Sequence, residues 1–335
     1  MPRWFRVNAH LQVLWLTPDK PANISVGRQR IADHLEADGF AVTLRGTTPY
    51  TLLQSLRDAD EYDVVVGTTR AGAIAGALVK SVTGTPLVVD HVDPIQQFTD
   101  THLRWLAVVV RLLENFAFHI ADHVLYVYGE ERNRVERYAK VMTKTDLGVE
   151  YERFADPDSE AVTAAQEHLE GQQLCENVAI YVGGLEPIYH IEELLTAMEY
   201  LDNWSLVILG DGSLHEQVLQ ADDARSNVHY LGTVPHEKVP GYVVLADVGV
   251  SLVDDPHTLK VLEYGATGLP IVQIEGRAVE RFGDHLVYTE SDPEEVAEAI
   301  QRAGLMDRDL LRGLVRQFDW QEITADYRRA ITSVK

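Results

Sequence analysis

Short apolar runs alternate with amphipathic stretches along most of the chain. In the first half, LQVLWLT, FAVTLRG, YDVVVGT, TPLVVDH and DHVLYVY are rich in β-branched and aromatic residues and read as strands. Between them, IADHLEADG has helical spacing and stops at Gly39, while AGAIAGALVKSVTG stops at Gly84. Strand, helix and strand at this interval predict a doubly wound parallel sheet. A second series starts near residue 177 with NVAIYVGG, IEELLTAMEYL and WSLVILGDG, and runs on to TLKVLEYGATG and LPIVQI. The polar, acidic segment from Ala155 to Gly171 lies between the two series. The expectation is an N-terminal domain over 1–165, a C-terminal domain over 172–315, and a final helix over 316–335 whose stripe of Phe318, Trp320, Ile323, Tyr327 and Ile331 either bridges the two or packs on the second.

Length and composition agree with two cores: 335 residues exceed what one core usually serves, and 46% hydrophobic with 24% charged excludes disorder. The net charge of -23, with 7 Lys against 22 Arg, describes an acidic surface suited to concentrated salt, as in the cytoplasm of a halophilic archaeon, with a merely acidic cytosolic enzyme as the alternative. It argues against nucleic acid as a partner, since no basic stripe exists to neutralise phosphates. The single cysteine, Cys175, leaves no internal disulfide and fits an intracellular protein. The opening MPRWFRVNAHLQVLWL is too short and too polar in its apolar part for a signal peptide, and no uncharged run is long enough to span a membrane. A cytoplasmic location follows as the expectation.

Candidate chemistry concentrates at strand ends. In SLVDDPHTLKVLEYGATG, a strand ends, a loop bearing Asp255 follows, and Thr258 can cap a helix that carries Lys260 and Glu263. The backbone N–H groups of such a helix start attract an anion, Lys260 adds a positive charge, and Glu263 lies on the same face, where it could hold a ribose diol. An ordinary i,i+3 surface ion pair is the alternative. Gly183 and Gly184 in YVGGLEP, and Gly210 and Gly212 in VILGDGSL, follow strands and either let a ligand approach the backbone or simply turn the chain. In the first half, His91 and Asp93 follow the strand LVVDH and could move a proton or orient a hydroxyl; a structural histidine is the other reading. Gly27, beside Arg28 near the start of the first helix, could admit an acceptor or merely permit the turn. No metal motif, GxSxG elbow or phosphate-binding GxxxxGK loop occurs.

Taken together, these segments resemble the retaining glycosyltransferases of GT-B fold called family 4, the group 1 transferases. The resemblance rests on the order SVG, His91, ENFAFHIADHVLYVYGEERNRV, TDLGVEYERF, YVGGLEPIYHIEELLTA, VILGDGSL, NVHYLGTVP, ADVGVSLV and TLKVLEYGATGLPIV. It implies two Rossmann-like domains facing across a cleft and a UDP- or GDP-sugar as donor, with no tightly bound cofactor. It implies Glu263 as the acidic residue that holds the ribose, Lys260 at the diphosphate, His91 near the transferred sugar, and Gly27 near donor and acceptor.

Three departures from the family pattern stand out. Gly183-Gly184 replaces Gly-Arg, Tyr189-His190 replaces Lys-Gly, and the first acidic residue of the usual pair falls on Asp255 rather than Glu. With two phosphate-binding cations absent, Lys260 carries more of the donor's charge, unless Arg277 or another arginine compensates. A hydrolase or epimerase of nucleotide sugars, and a non-catalytic or partner-dependent subunit, remain open as alternatives. The acceptor is a glycan, polyprenyl-linked or small-molecule hydroxyl. The apolar segment THLRWLAVVVRLLENFAFHIADHV is expected to be a core helix, with peripheral contact to the inner face of the cell membrane as the other reading.

Overall fold

The computed structural model describes residues 11–18, 23–95 and 103–335, with the side chains of residues 23–26 and 104 outside that description. The leading segment through residue 10 and the Arg104 side chain, both weighed above, therefore lie outside it. The chain divides into two units: Met1–Leu147 together with Trp320–Lys335, and Gly148–Asp319.

The first unit is built on a six-stranded parallel sheet ordered β2-β1-β3-β4-β5-β6. Its strands are β1 (Leu11–Thr17), β2 (Phe40–Gly46), β3 (Val64–Thr68), β4 (Leu87–His91), β5 (His123–Tyr126) and β6 (Met142–Lys144). The central strands are apolar on consecutive residues because helices cover both faces of the sheet. One face packs Leu14, Leu16, Val65 and Val89 against Val79 and Phe118 from the Thr69–Thr83 and Arg104–Ile120 helices. The other packs Val13, Trp15, Val64 and Val88 against Ile31 and Leu35 of the Asn23–Ala37 helix.

That second face is completed by the last helix, Trp320–Ser333, through Trp320, Ile323, Tyr327 and Ile331. The stripe expected from the sequence is thus divided: Phe318 packs against a core of the second unit, while the residues from Trp320 onward are buried in the first. A polar network fixes the helix. Arg28 makes a bidentate pair with Asp90, with Nε to Oδ2 at 2.7 Å and Nη2 to Oδ1 at 3.1 Å, and Tyr327 Oη donates to Asp90 Oδ1 at 2.8 Å. Thr68 Oγ1 also donates to Asp90, and Trp15 Nε1 donates to Thr68. Arg28, Asp90, Tyr327, Thr68 and Trp15 each find a partner within this network, which is the condition for such a network to be tolerated in a core.

The second unit repeats the architecture with the order β12-β11-β10-β7-β8-β9. Its strands are β7 (Asn177–Val182), β8 (Trp204–Leu209), β9 (Val228–Tyr230), β10 (Val248–Ser251), β11 (Ile271–Ile274) and β12 (Val287–Thr289), all parallel. The division between units falls earlier than the polar segment suggested. Tyr151, Phe154, Ala165 and Leu169, from the Tyr151–Ala155 and Ser159–Glu170 helices, are buried in the second unit's core. The chain enters and leaves this unit side by side: Val149 N donates to Phe318 O and Tyr151 N to an oxygen of Asp319.

Candidate active site

In an open parallel sheet, ligands bind beyond the carboxyl ends of the strands where the strand order reverses. In the second unit that point lies between β7 and β10, because β7 is followed in sequence by β8 on one side while β10 lies on its other. The residues that follow these two strands are Gly183 and the 252–258 loop, two of the segments singled out in the sequence.

The glycines come together there. Gly183, with φ of 148°, and Gly210, with φ of 151°, end β7 and β8 in backbone conformations that side chains rarely adopt. A Cβ on Gly210 would stand 1.8 Å from the Gly183 carbonyl oxygen, and one on Gly212 would stand 2.6 Å from Leu185 N. These loops therefore need glycine to pack on one another. Gly184 is exposed beside the ring of Tyr189.

Lys260 and Glu263 lie on the Leu259–Ala266 helix, whose N-cap residue, Thr258, makes no side-chain capping bond. Lys260 is buried, with Nζ 4.3 Å from the ring centroids of both Tyr181 and Tyr189 and 3.2 Å from Tyr181 Oη. A Cβ on Gly183 would stand 3.1 Å from the same Nζ, so the ammonium reaches the glycine loop. Burial draws its pKa from 10.5 down to about 8, against the raising effect of Glu263. A surface ion pair does not describe this lysine; its contacts are aromatic faces.

Glu263 takes a different partner. Its Oε1 lies 2.8 Å from His236 Nε2, on the loop after β9, and this bond raises the histidine's pKa despite partial burial. His236 is half exposed, and its ring lies 6.0 Å from that of Phe154. Asp255 accepts a hydrogen bond from His257 N at 2.9 Å, which folds the loop before the helix. Arg277 is held by Asp254, to which its backbone N donates at 2.8 Å.

The residues expected in the first unit sit differently. His91 is 2% exposed and lies between two carboxylates, Nε2 3.0 Å from Glu131 Oε2 and Nδ1 3.4 Å from Glu114 Oε1. Arg134 pairs with both acids. Burial opposes the imidazolium, but the two carboxylates prevail and hold its pKa above 6.5; they in turn are lowered, Glu131 to about 2. In this geometry His91 belongs to a buried ionic network, with both ring nitrogens turned to acids. Asp93 lies 3.7 Å from Arg70 Nη1, and burial pushes its carboxyl up. Gly27 falls inside the Asn23–Ala37 helix, where an added Cβ would stand 3.0 Å from the Trp320 ring. Its neighbourhood is a helix contact. At the strand reversal of this unit, Thr69 has φ of 61°, a strained value for a β-branched residue.

Three side chains escaped the sequence reading: Tyr181, Tyr189 and His236. Tyr189 was visible only as a departure from a familiar pattern, and His236 carried no signal at all. Among the described residues, no group of three or more His, Cys, Asp and Glu could hold a metal ion, and no helix is long and apolar enough to cross a membrane.

Over residues 176–304 the chain matches the family described as glycosyl transferases group 1. Over this segment the chain is similar to the group 1 transferases. The segment contains the glycine loops, Lys260, Glu263 and His236, so the site built above lies wholly inside the matched segment. A sequence comparison with curated proteins finds no match. Among solved structures, the Anabaena protein HepE in complex with UDP and glucose is 16% identical, with a TM-score of 0.76 over 97% of this chain and 100% of that one. Sucrose-phosphate synthase from Thermosynechococcus elongatus is also 16% identical, with a TM-score of 0.77 over 97% and 100%. The UDP-forming trehalose-phosphate synthase from Burkholderia vietnamiensis is 11% identical, with a TM-score of 0.69 over 98% of each chain. The chain thus has the GT-B fold of two Rossmann-like units, and the matched segment lies in the second of them.

Proposed function

We propose that the protein moves a hexose from a uridine diphosphate sugar to a hydroxyl acceptor, with retention at the anomeric carbon. The observation that carries this reading is the meeting of the two glycine loops with the buried ammonium of Lys260 at the strand reversal of the second unit. Uridine is favoured over guanosine because HepE was solved with UDP and UDP-glucose and a second neighbour is a UDP-forming synthase.

In the reaction, the bond from C1 of the sugar to the diphosphate oxygen breaks, and the diphosphate departs with the electron pair. The acceptor oxygen bonds to C1 on the face the diphosphate leaves, and its proton passes to the departing diphosphate oxygen. Lys260 and the uncapped start of its helix oppose the charge that grows on the leaving diphosphate, the kind of fixed electrostatic support that contributes most in a desolvated site. Glu263 accepts from the ribose hydroxyls once His236 yields its place. Asp255 is assigned to the sugar hydroxyls, and Asp93 to the acceptor side. His91 acts through the shape of the loop after β4: its partner Glu131 also accepts from Ile95 N at 3.2 Å.

Titration calorimetry of the whole protein against UDP, GDP and their glucose conjugates tests the donor, and the anomeric configuration of the product, read by NMR, tests retention. Selective binding of the uridine compounds is expected. Silence toward all four in a folded sample, or an inverted product, overturns the reading.

A further inference from the structure

The loop from Val253 to Pro256 carries Asp255, and most of its backbone carbonyls are held from one neighbouring segment. Gln273 Nε2, in β11, donates to Val253 O, Arg277 Nη2 donates to Asp254 O, and Arg281 Nη1 donates to Pro256 O. These three side chains recur every four residues across the end of β11 and the Ala278–Phe282 helix. The backbone of the same segment also meets the loop. Arg277 N donates to Asp254 Oδ1 at 2.8 Å, and a Cβ on Gly276 would clash with that oxygen, so the close approach requires glycine. Arg281 is fixed in turn by two aromatic faces, its guanidinium carbon 4.8 Å from the ring centroid of Phe282 and 4.4 Å from that of Phe318.

Peptide geometry converts these contacts into an orientation. The C=O and N–H of a trans peptide point in opposite directions. Tying back the carbonyls of Val253 and Asp254 therefore turns the N–H groups of Asp254 and Asp255 away from the segment, and neither N–H has a partner among the described residues. The N–H of His257, in the peptide whose carbonyl Arg281 holds, fixes Asp255 through Oδ1. The face turned away from Gln273, Arg277 and Arg281 thus offers two peptide donors and a carboxylate. A sugar hydroxyl suits that combination, since it accepts one hydrogen bond and donates another. Arg277, which the sequence left as a possible replacement for a missing phosphate cation, is engaged by Asp254 at both its carbonyl and its carboxylate, with Nε 3.6 Å from Oδ2.

We propose that Gln273, Arg277 and Arg281 are positioning residues for donor recognition. They hold the 253–256 loop in the shape that presents Asp255 and the two peptide N–H groups to the sugar, while Lys260 and Glu263 hold the nucleotide. The proposal rests on the sugar-transfer reading, in which Asp255 takes the sugar hydroxyls.

The test uses the full chain and two measurements. Calorimetry compares UDP with UDP-glucose, UDP-galactose and UDP-N-acetylglucosamine, and mass spectrometry follows amide hydrogen exchange over residues 252–258 without ligand. Arg281→Met keeps an unbranched chain between the two rings and removes the donors; Arg277→Met does so at a more exposed position. In each variant the affinity for the conjugate that the wild type binds best should fall about tenfold or more, while that for UDP stays within about twofold. The loop should exchange about tenfold faster. Arg281→Lys, which restores a charged donor for Pro256 O, should recover most of the lost preference and protection. Circular dichroism of each sample reports folding. Equal loss for UDP and the conjugate, unchanged affinity for both, or unchanged exchange overturns the proposal, as does a wild type that binds UDP but none of the conjugates. A folded wild type that binds neither UDP nor any conjugate refutes the transferase reading, and with it the role in donor recognition; loop exchange in the variants then still decides whether the three side chains hold the loop.

Discussion

Replacing Lys260 by Met should separate function from stability in one experiment. The substitution keeps an unbranched side chain between the rings of Tyr181 and Tyr189 and removes the charge. Burial lowers the lysine from 10.5 to about 8, which at about 1.4 kcal/mol per pH unit makes burying the ammonium cost about 3 kcal/mol at neutral pH. The two aromatic faces return part of that, about 0.5–1 kcal/mol each. Ligand-free Lys260→Met should therefore be more stable than wild type by about 1–2 kcal/mol, or about 2–8 °C in Tm for a unit of this size. The sign can be checked by pH. Because the folded-state pKa is the lower one, the unfolded chain binds more protons between about 8 and 10.5, so wild-type stability should rise across that window and the variant's should not. UDP affinity should fall by about ten- to over a hundredfold, the effect of losing a charge-assisted contact of about 1.5–3 kcal/mol. Calorimetric titration and thermal unfolding on the same samples suffice. A variant that binds UDP as wild type does, or that melts several degrees lower, refutes the account of Lys260 as a charge held ready for a ligand.

Other outcomes follow from neighbouring contacts. His236, raised by its bond to Glu263 with Arg153 opposing and Glu150 assisting, is charged at low pH and competes with the ribose for that carboxylate; UDP affinity should climb as pH passes its pKa and decline above about 8 as Lys260 deprotonates. His236→Gln should flatten the acidic limb alone, and an unchanged profile would remove the competition. His91→Gln should cost about 3–5 kcal/mol in urea unfolding by leaving buried acids short of a cation. Since the folded-state pKa of His91 is raised, its contribution is complete below 6.5 and lost as pH rises through the raised value, so the gap between variant and wild type should narrow above neutrality; normal stability with lost turnover would restore His91 to catalysis. With a net charge of -23, Tm should rise from low to molar potassium chloride as repulsion is screened, and a flat response would remove the high-salt reading.

Local pattern carried the fold a long way. Consecutive valines marked β3 and β4 as strands covered on both sides, and Gly84, at φ of 78°, closes the helix where the sequence placed its end. The destination of the last helix was not local: its stripe fixed which face is buried, but the partner depends on Arg28, Asp90 and Tyr327, separated by up to 299 positions. Lys260 and Glu263 were legible because they share a helix start after a strand. What they touch was not, since Tyr181 lies 79 residues from Lys260 and His236 lies 27 from Glu263. A hint existed for His91: Glu114 interrupts an otherwise apolar stretch, and an acid in such a place needs a buried partner.

Two cations expected from the family pattern are missing, and the structure contains a physical answer to how one lysine can serve. In a chain with 52 acidic residues and 29 basic ones, an exposed ammonium finds a carboxylate easily, and a diphosphate must then displace it. The nearest acid on the same helix, Glu263, is engaged by His236 instead. Tyr189, which stands where the pattern has lysine, contributes a ring face to Lys260 rather than a second charge. An ammonium held by two rings is desolvated yet unneutralised, so its attraction to an incoming anion is larger than that of a solvated pair of lysines would be per charge. The substitution of an aromatic residue for a cation thus trades the number of charges at the site for the strength with which the remaining one acts, and a Tyr189→Lys change would be expected to weaken that charge by repulsion before it could add one.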